Sequence, residues 1–265
     1  MRLWVNEAFR VFYDRLINEE DQKWLKVLVA ELVGKNFKLA PDADEMFARL
    51  KFGDFLRLDS PVQYYEYIDN KDKLMKTLNG GLDEYNLSNS NKMNLVLFDD
   101  AVEHLLRICR CLKQPRGHIM LIGVGGSGKQ SLLRLCTFMR GMEYRTIELT
   151  KGFNLESFKD LMKGYMKEAG IEQKGTSFVM TDTQIIDEAF IENLNNLLNT
   201  GEIPNLWLPE DKDEIVNGVR PICINRKVPD SMDNIQALFV NLVRENLHIC
   251  LCMSPVGETL RVRCR

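Results

Sequence analysis

His118-Ile119-Met120-Leu121-Ile122-Gly123-Val124-Gly125-Gly126-Ser127-Gly128-Lys129-Gln130-Ser131 passes from an apolar run through a glycine-rich loop to a lysine. That order reads as strand, loop and helix start, the context in which G-x-x-x-x-G-K binds phosphate. The loop must turn its backbone N–H groups inward around an anion. Gly123, Gly125, Gly126 and Gly128 reach the dihedrals this needs without a Cβ clash, with Val124 and Ser127 completing the loop. A helix beginning near Lys129 aims its unpaired N–H groups and positive dipole end at the same phosphates, and the Lys129 ammonium extends to the β and γ oxygens. The pattern departs from the strict motif at one place. Ser or Thr normally follows the lysine to hold Mg²⁺, whereas here Gln130 does and Ser131 comes one residue later, rotated by about 100° around the helix. Phosphate binding is expected to survive this change, and Ser131 becomes the candidate hydroxyl for the metal.

A phosphate loop of this kind works with a second strand that ends in an aspartate for Mg²⁺, often followed by a glutamate that polarises the attacking water. Ser177-Phe178-Val179-Met180-Thr181-Asp182-Thr183 supplies the first, so Asp182 is the metal-side carboxylate. The residue after it is Thr183, whose hydroxyl is too weak to act as a general base near neutral pH. Asp187 and Glu188 follow within reach in sequence, but acids in the first turn of a helix commonly complement its dipole. A further apolar strand, His248 to Met253, ends in Ser254-Pro255-Val256-Gly257, which makes Ser254 a candidate to sense the terminal phosphate.

Working outward, short apolar runs alternate with helical periods after about residue 90, as in a parallel α/β sheet. Strands are expected at His118 to Ile122, Tyr144 to Leu149, Phe178 to Thr181 and His248 to Met253. Helices are expected at Lys129 to Met139, Leu155 to Lys167, Asp187 to Leu198 and Met232 to Glu245. Another helix, capped by Asp99 or Asp100, buries Ala101, Leu105, Cys109 and Leu112. Before residue 90 the pattern is all helical: Val5, Phe9, Phe12 and Leu16 fall on one face, and similar periods occupy Asp21 to Val33 and Asp42 to Leu50. The polar run Asn86 to Lys92 marks the boundary between a helical region, 1–90, and the α/β region, 91–265.

The 265 residues carry 35 Lys plus Arg against 38 Asp plus Glu, so no global positive field draws the chain to nucleic acid or anionic lipid. No apolar run approaches the roughly 20 residues that cross a bilayer, and the first residues turn polar before a signal-peptide core forms. Seven cysteines without a C-x-x-C pair read as reduced, mostly buried thiols, as expected of a cytoplasmic protein.

Met93 to Ala101, the loop Gly123 to Ser131, Thr181-Asp182-Thr183-Gln184, and Leu247 to Gly257 together resemble the fourth AAA+ module of an axonemal dynein heavy chain. Leu3 to Glu7 and Arg10 to Leu16 resemble the closing helical region of the module before it. The resemblance implies a P-loop AAA+ large subdomain, with its small helical lid outside this chain, in a minus-end-directed microtubule motor that bends cilia and flagella. It further implies ATP or ADP as ligand, with Mg²⁺, and a regulatory module in which Thr183 accords with little or no hydrolysis. By the same analogy Leu97 and Phe98 line the adenine pocket, and Arg261, Arg263 and Arg265 approach the nucleotide of the preceding module. The implied partners are the other AAA+ modules of the same chain and, through the full-length protein, dynein intermediate and light chains and microtubules, in the axoneme of a cilium or flagellum. The competing expectations are a ring spacer that binds nucleotide weakly or not at all, and a standalone P-loop ATPase, which Thr183 disfavours.

Overall fold

The computed structural model describes residues 1–38, 50–56, 63–257 and 259–263. The chain divides into two compact units, Met1–Ser90 with Val96–Leu106, and Asn91–Leu95 with Arg107–Arg265.

In the first unit, helix α1 (Arg2–Ala8) runs into a π turn, Phe9–Tyr13, and helix α2 (Glu19–Phe37) follows. Val5, Phe9, Leu25, Val29 and Val33 form a small core. The expected face is corrected here, because Phe12 is exposed. The π turn, closed by Asp14 N–H donating to Phe9 O at 3.0 Å, inserts one residue and brings Tyr13 beneath Phe9, ring on ring at 4.6 Å. The helical pattern at Asp42 to Leu50 lies almost wholly outside the described residues. The unit is not all helical either, since β1 (Phe52–Gly53) pairs antiparallel with β2 (Glu66–Tyr67). The ring of Phe52 sits 5.6 Å from both Tyr65 and Tyr67, so aromatic packing holds a ladder too short to show a period. Helix α3 (Lys71–Ser88), capped by Asn70 at 2.9 Å from Lys73 N, falls in the region expected to be helical, at residues to which the pattern assigns no separate helix. It buries Leu74, Leu78, Leu82 and Tyr85 at helical spacing, and it carries the first residues of the polar run into its last turn. Helix α4 (Asp99–Lys113) takes Asp99 and Asp100 into its first turn instead of using either as a cap, and Asp99 pairs with Lys71 at 2.6 Å.

The second unit has the alternation expected of an α/β fold. Its strands are β3 (Ile119–Ile122), β4 (Glu143–Thr146), β5 (Thr176–Thr181) and β6 (Leu247–Met253), all parallel in the order β3-β6-β5-β4. Helices α5 (Lys129–Met139), α6 (Leu155–Gly170), α7 (Ala189–Thr200), α8 (Pro209–Asn225) and α9 (Met232–Asn246) connect them, and a short α10 (Thr259–Arg263) follows β6. Strands β5 and β6 are buried almost throughout, so they read as continuous apolar runs and not as alternations. Phe158, Met162 and Met166 of α6 pack on Phe178 and Met180 of β5, and Phe158 stacks on Phe190 of α7 at 4.5 Å. Helix α8 was not expected. It starts with Pro209 at its first turn, buries Ile215, Val219 and Cys223, and leaves the internal Pro221 on the exposed side. Lys163 and Lys167 of α6 tie it down through Asp211, at 3.1 and 2.9 Å.

The register decides where chemistry collects. Ile122 pairs with Met253 and Thr181 with Cys252, so the carboxyl ends of β3, β5 and β6 finish side by side. Gly123 N–H donates to Met253 O at 3.1 Å, fixing the start of the glycine loop against the tip of β6.

Candidate nucleotide-binding site

Above those strand ends lies a cavity of about 400 Å³ lined by the loop from Gly125 to Ser131 on one side and by Thr181, Asp182, Thr183, Cys252, Met253 and Ser254 on the other. Gly126 and Gly128 take φ of +76° and +79°, dihedrals that a side chain disfavours, and Gly128 is the N-cap of α5. Leu132 N–H is bonded to Gly128 O at 2.9 Å, so the amides ahead of it are the orphan donors that every helix start presents. A phosphate group is the complement of such a concavity. Gln130 and Ser131 both face the cavity, Gln130 exposed and Ser131 half-buried.

Lys129 Nζ donates to Gly123 O at 2.6 Å, to Val124 O at 2.8 Å and to Ser127 Oγ at 3.3 Å. The ammonium is therefore folded onto its own loop, its donors taken by those oxygens. Across the cavity, Asp182 Oδ1 accepts from Thr183 N–H at 2.9 Å and Oδ2 from Ser254 N–H at 3.0 Å. The aspartate thus joins the tips of β5 and β6, and Ser254 stands beside it. Cys252, on the floor, has its thiol pushed up to about 11 by burial, against the opposing pull of Lys129.

Thr183 Oγ1 lies 2.9 Å from Thr181 Oγ1. Asp187 Oδ1 accepts from Ala189 N–H at 2.9 Å, the helix-start role expected of it. Glu188 is held by Arg263 through both carboxylate oxygens, with contacts of 2.8 and 3.0 Å to Oε1 and 3.2 Å to Oε2. Of the three C-terminal arginines, Arg263 is thus bound within its own chain, Arg261 is exposed, and Arg265 lies outside the described residues. Leu97 is buried and Phe98 exposed, both in the first unit, while Leu95 of the second unit sits beside Gly128.

Two contributors to the site lie outside the motifs. Gln184 Oε1 accepts from Thr181 N–H at 2.8 Å while its Nε2 donates to Ile147 O at 2.6 Å and to Thr146 Oγ1 at 3.1 Å, stitching the ends of β5 and β4. Its signal was present as T-x-x-Q over Thr181 to Gln184, a capping box around the 3₁₀ turn Asp182–Gln184. The Glu188 to Arg263 pair, 75 residues apart in the chain, has no local signal.

The family described as P-loop containing dynein motor region D4 matches residues 93–265 of this chain. The chain belongs to the dynein heavy chain motor family. Human dynein axonemal heavy chain 6 is 41% identical over 268 aligned positions, which cover 100% of this chain and 6% of that protein. Dynein axonemal heavy chain 1 of Mus musculus is 39% identical over 100% of the chain, and human dynein axonemal heavy chain 2 is 40% identical over 98% of it. The chain spans about 6% of the length of these dynein relatives. The resemblance to axonemal dyneins and the parallel α/β class expected of a P-loop AAA+ domain are therefore both borne out.

Proposed function

We propose that this chain is the fourth AAA+ module of an axonemal dynein heavy chain, preceded by the end of the third, and that it binds ATP or ADP as a regulatory site with little or no hydrolysis. The observation that carries the reading is the cavity between the glycine loop and the tips of β5 and β6, which brings Lys129, Asp182 and Ser254 to one space. In this reading the loop amides and the α5 N-terminus hold the phosphates, and Lys129 exchanges its carbonyl partners for phosphate oxygens. Ser254 stands at the terminal phosphate.

Hydroxyl and carboxylate oxygens are the donor set that Mg²⁺ prefers, and Ser131 and Asp182 both line the cavity. These are the residues that would hold the ion, which when bound neutralises phosphate charge. Little hydrolysis is expected because Thr183 stands where a water-polarising acid is needed, while Asp187 and Glu188 are engaged elsewhere. The adenine assignment to Leu97 and Phe98 rests on the family resemblance alone. So do the motor partners, the neighbouring modules, intermediate and light chains and microtubules, and the axonemal location. The approach of the C-terminal arginines to a preceding module's nucleotide rests on the resemblance as well.

Titration calorimetry with ATP and ADP, with and without Mg²⁺, on the chain and on Lys129→Ala tests the reading. Binding that depends on Lys129, with phosphate release near background, supports it. The lysine folded onto its own loop favours a second reading, a ring spacer with a closed loop. Nucleotide titrations identical for the chain and Lys129→Ala would establish the spacer instead.

A further inference from the structure

Gln130 stands where the glycine loop departs from the strict motif, and the proposed nucleotide reading leaves it without a role. It is the second residue of α5, whose N-cap is Gly128, and it is exposed on the wall of the phosphate cavity. Around it Lys129 donates to its own loop, Thr181 and Thr183 pair with each other, and Asp182 accepts from two amides. Gln130 makes no hydrogen bond to any described residue. Its carboxamide offers two N–H donors, and at a helix start these add to the orphan backbone amides that converge on the same space. A neutral carboxamide cannot replace the charge of Mg²⁺, but it can take a phosphate oxygen that the ion would otherwise hold, in a hydrogen bond strengthened by the charge of the acceptor.

We infer that Gln130 binds phosphate directly, its carboxamide N–H donating to a phosphate oxygen from the place where the strict motif sets a metal-holding hydroxyl, so that part of nucleotide binding needs no divalent ion. The inference rests on the proposed nucleotide reading of the glycine loop. ADP is the cleaner probe, because without Mg²⁺ a γ-phosphate meets the uncompensated carboxylate of Asp182 in the same cavity. An ion held by Ser131 and Asp182 adds to this contact. Gln130 carries the share that remains when the ion is removed.

The test measures the Kd for ADP by calorimetry, in EDTA and in Mg²⁺, on the intact chain and on Gln130→Ala, Gln130→Glu, Gln130→Thr and Lys129→Ala. Removing Mg²⁺ is expected to weaken ADP by less than about threefold for the chain. In EDTA, Gln130→Ala is expected to raise the Kd by about tenfold, the loss of one hydrogen bond to a charged group. Gln130→Glu keeps the shape but sets a carboxylate against the phosphate, so its metal-free binding should be weaker still. Gln130→Thr restores the strict motif and should let Mg²⁺ tighten ADP by about tenfold, a gain that a misfolded variant cannot imitate. A Kd in EDTA unmoved by Gln130→Ala and Gln130→Glu, or binding to the chain only in Mg²⁺, overturns this inference. If Lys129→Ala still abolishes binding in that case, the glycine-loop reading stands. Absence of ADP and ATP binding to the chain in either condition overturns the two together.

Discussion

Replacing Gln184 by alanine removes three hydrogen bonds at one point, those from Thr181 N and to Ile147 O and Thr146 Oγ1. Thr181 ends β5 and Thr146 ends β4, and the ladder between these strands stops at the pair Thr146 and Val179. The Gln184 side chain therefore carries the connection beyond the last ladder bond. At about 1 kcal/mol net for each bond, and with two half-buried backbone groups left without their partner, the loss comes to about 2–3 kcal/mol. For a unit of this size that corresponds to a fall of about 4–12 °C in Tm. Gln184→Glu is the decisive companion. It keeps the acceptor for Thr181 N–H but sets a carboxylate oxygen against Ile147 O, turning the 2.6 Å contact into repulsion. Glutamate is therefore expected to be at least as damaging as alanine. Because the chain holds two units, a single melt need not be two-state. Hydrogen exchange at the Thr181 amide and along β5 reads the relevant unit directly. Loss of protection there in both variants is the expected outcome. Unchanged protection, or a glutamate variant milder than alanine, would refute the reasoning.

Asp182→Asn sets an NH₂ group against one of the two backbone N–H donors, which costs about 1–2 kcal/mol. Calorimetry should show the Mg²⁺-dependent part of ATP binding lost and the Mg²⁺-free part kept. Gly128→Ala meets nothing closer than 3.8 Å but forces a side chain into φ of +79°, costing about 1–2 kcal/mol, whereas Gly125→Ala has open space and no positive φ. Denaturant unfolding should separate the two glycines by that amount, and nucleotide affinity should fall further for Gly128→Ala. Hydrogen bonding from Lys167 is the largest of the effects that lower the Asp211 carboxyl, to about 2. A lowered carboxyl stabilises above its unfolded value of about 3.9 and loses that contribution as pH falls toward 2. The advantage of the chain over Asp211→Asn, about 1 kcal/mol after solvent screening, should be full above pH ~4 and gone near pH ~2 in unfolding curves taken along that range.

The α/β unit was legible because its signals are local and redundant. Strands β5 and β6 are buried on both faces, so Phe178 to Thr181 and His248 to Met253 stand out as apolar runs, and their residue limits were read to within two positions. Where the reading failed, a tertiary contact had overruled the local pattern. Pro221 interrupts the period of α8 but sits on its exposed side, where a missing N–H and a ring are tolerated while Ile215, Val219 and Cys223 pay out their burial on the other side. The glycine pair Gly80 and Gly81 similarly obscures α3, whose helix is held by the buried stripe from Leu74 to Tyr85. The π turn at Phe9 shifts a face by one residue, and no period of 3.6 can announce a turn with a different count.

The site divides along the same line between local and cross-strand information. Glycine loop, lysine and helix start are consecutive residues, so the sequence contains their geometry once the strand before them is recognised. Parallel register then brings Asp182 and Ser254 to the same edge, because β3, β5 and β6 are neighbours that end level. What no segment could disclose is how each acid near Thr183 is employed. Asp182 is held by two amides, Asp187 by Ala189 N–H, and Glu188 by Arg263. A second carboxylate could move toward a water at the strand tips only by giving up one of these contacts. The expectation of slow hydrolysis therefore gains a physical basis beyond the identity of Thr183. Asp187 would have to leave a helix start that its charge suits, and Glu188 would have to leave a forked arginine contact.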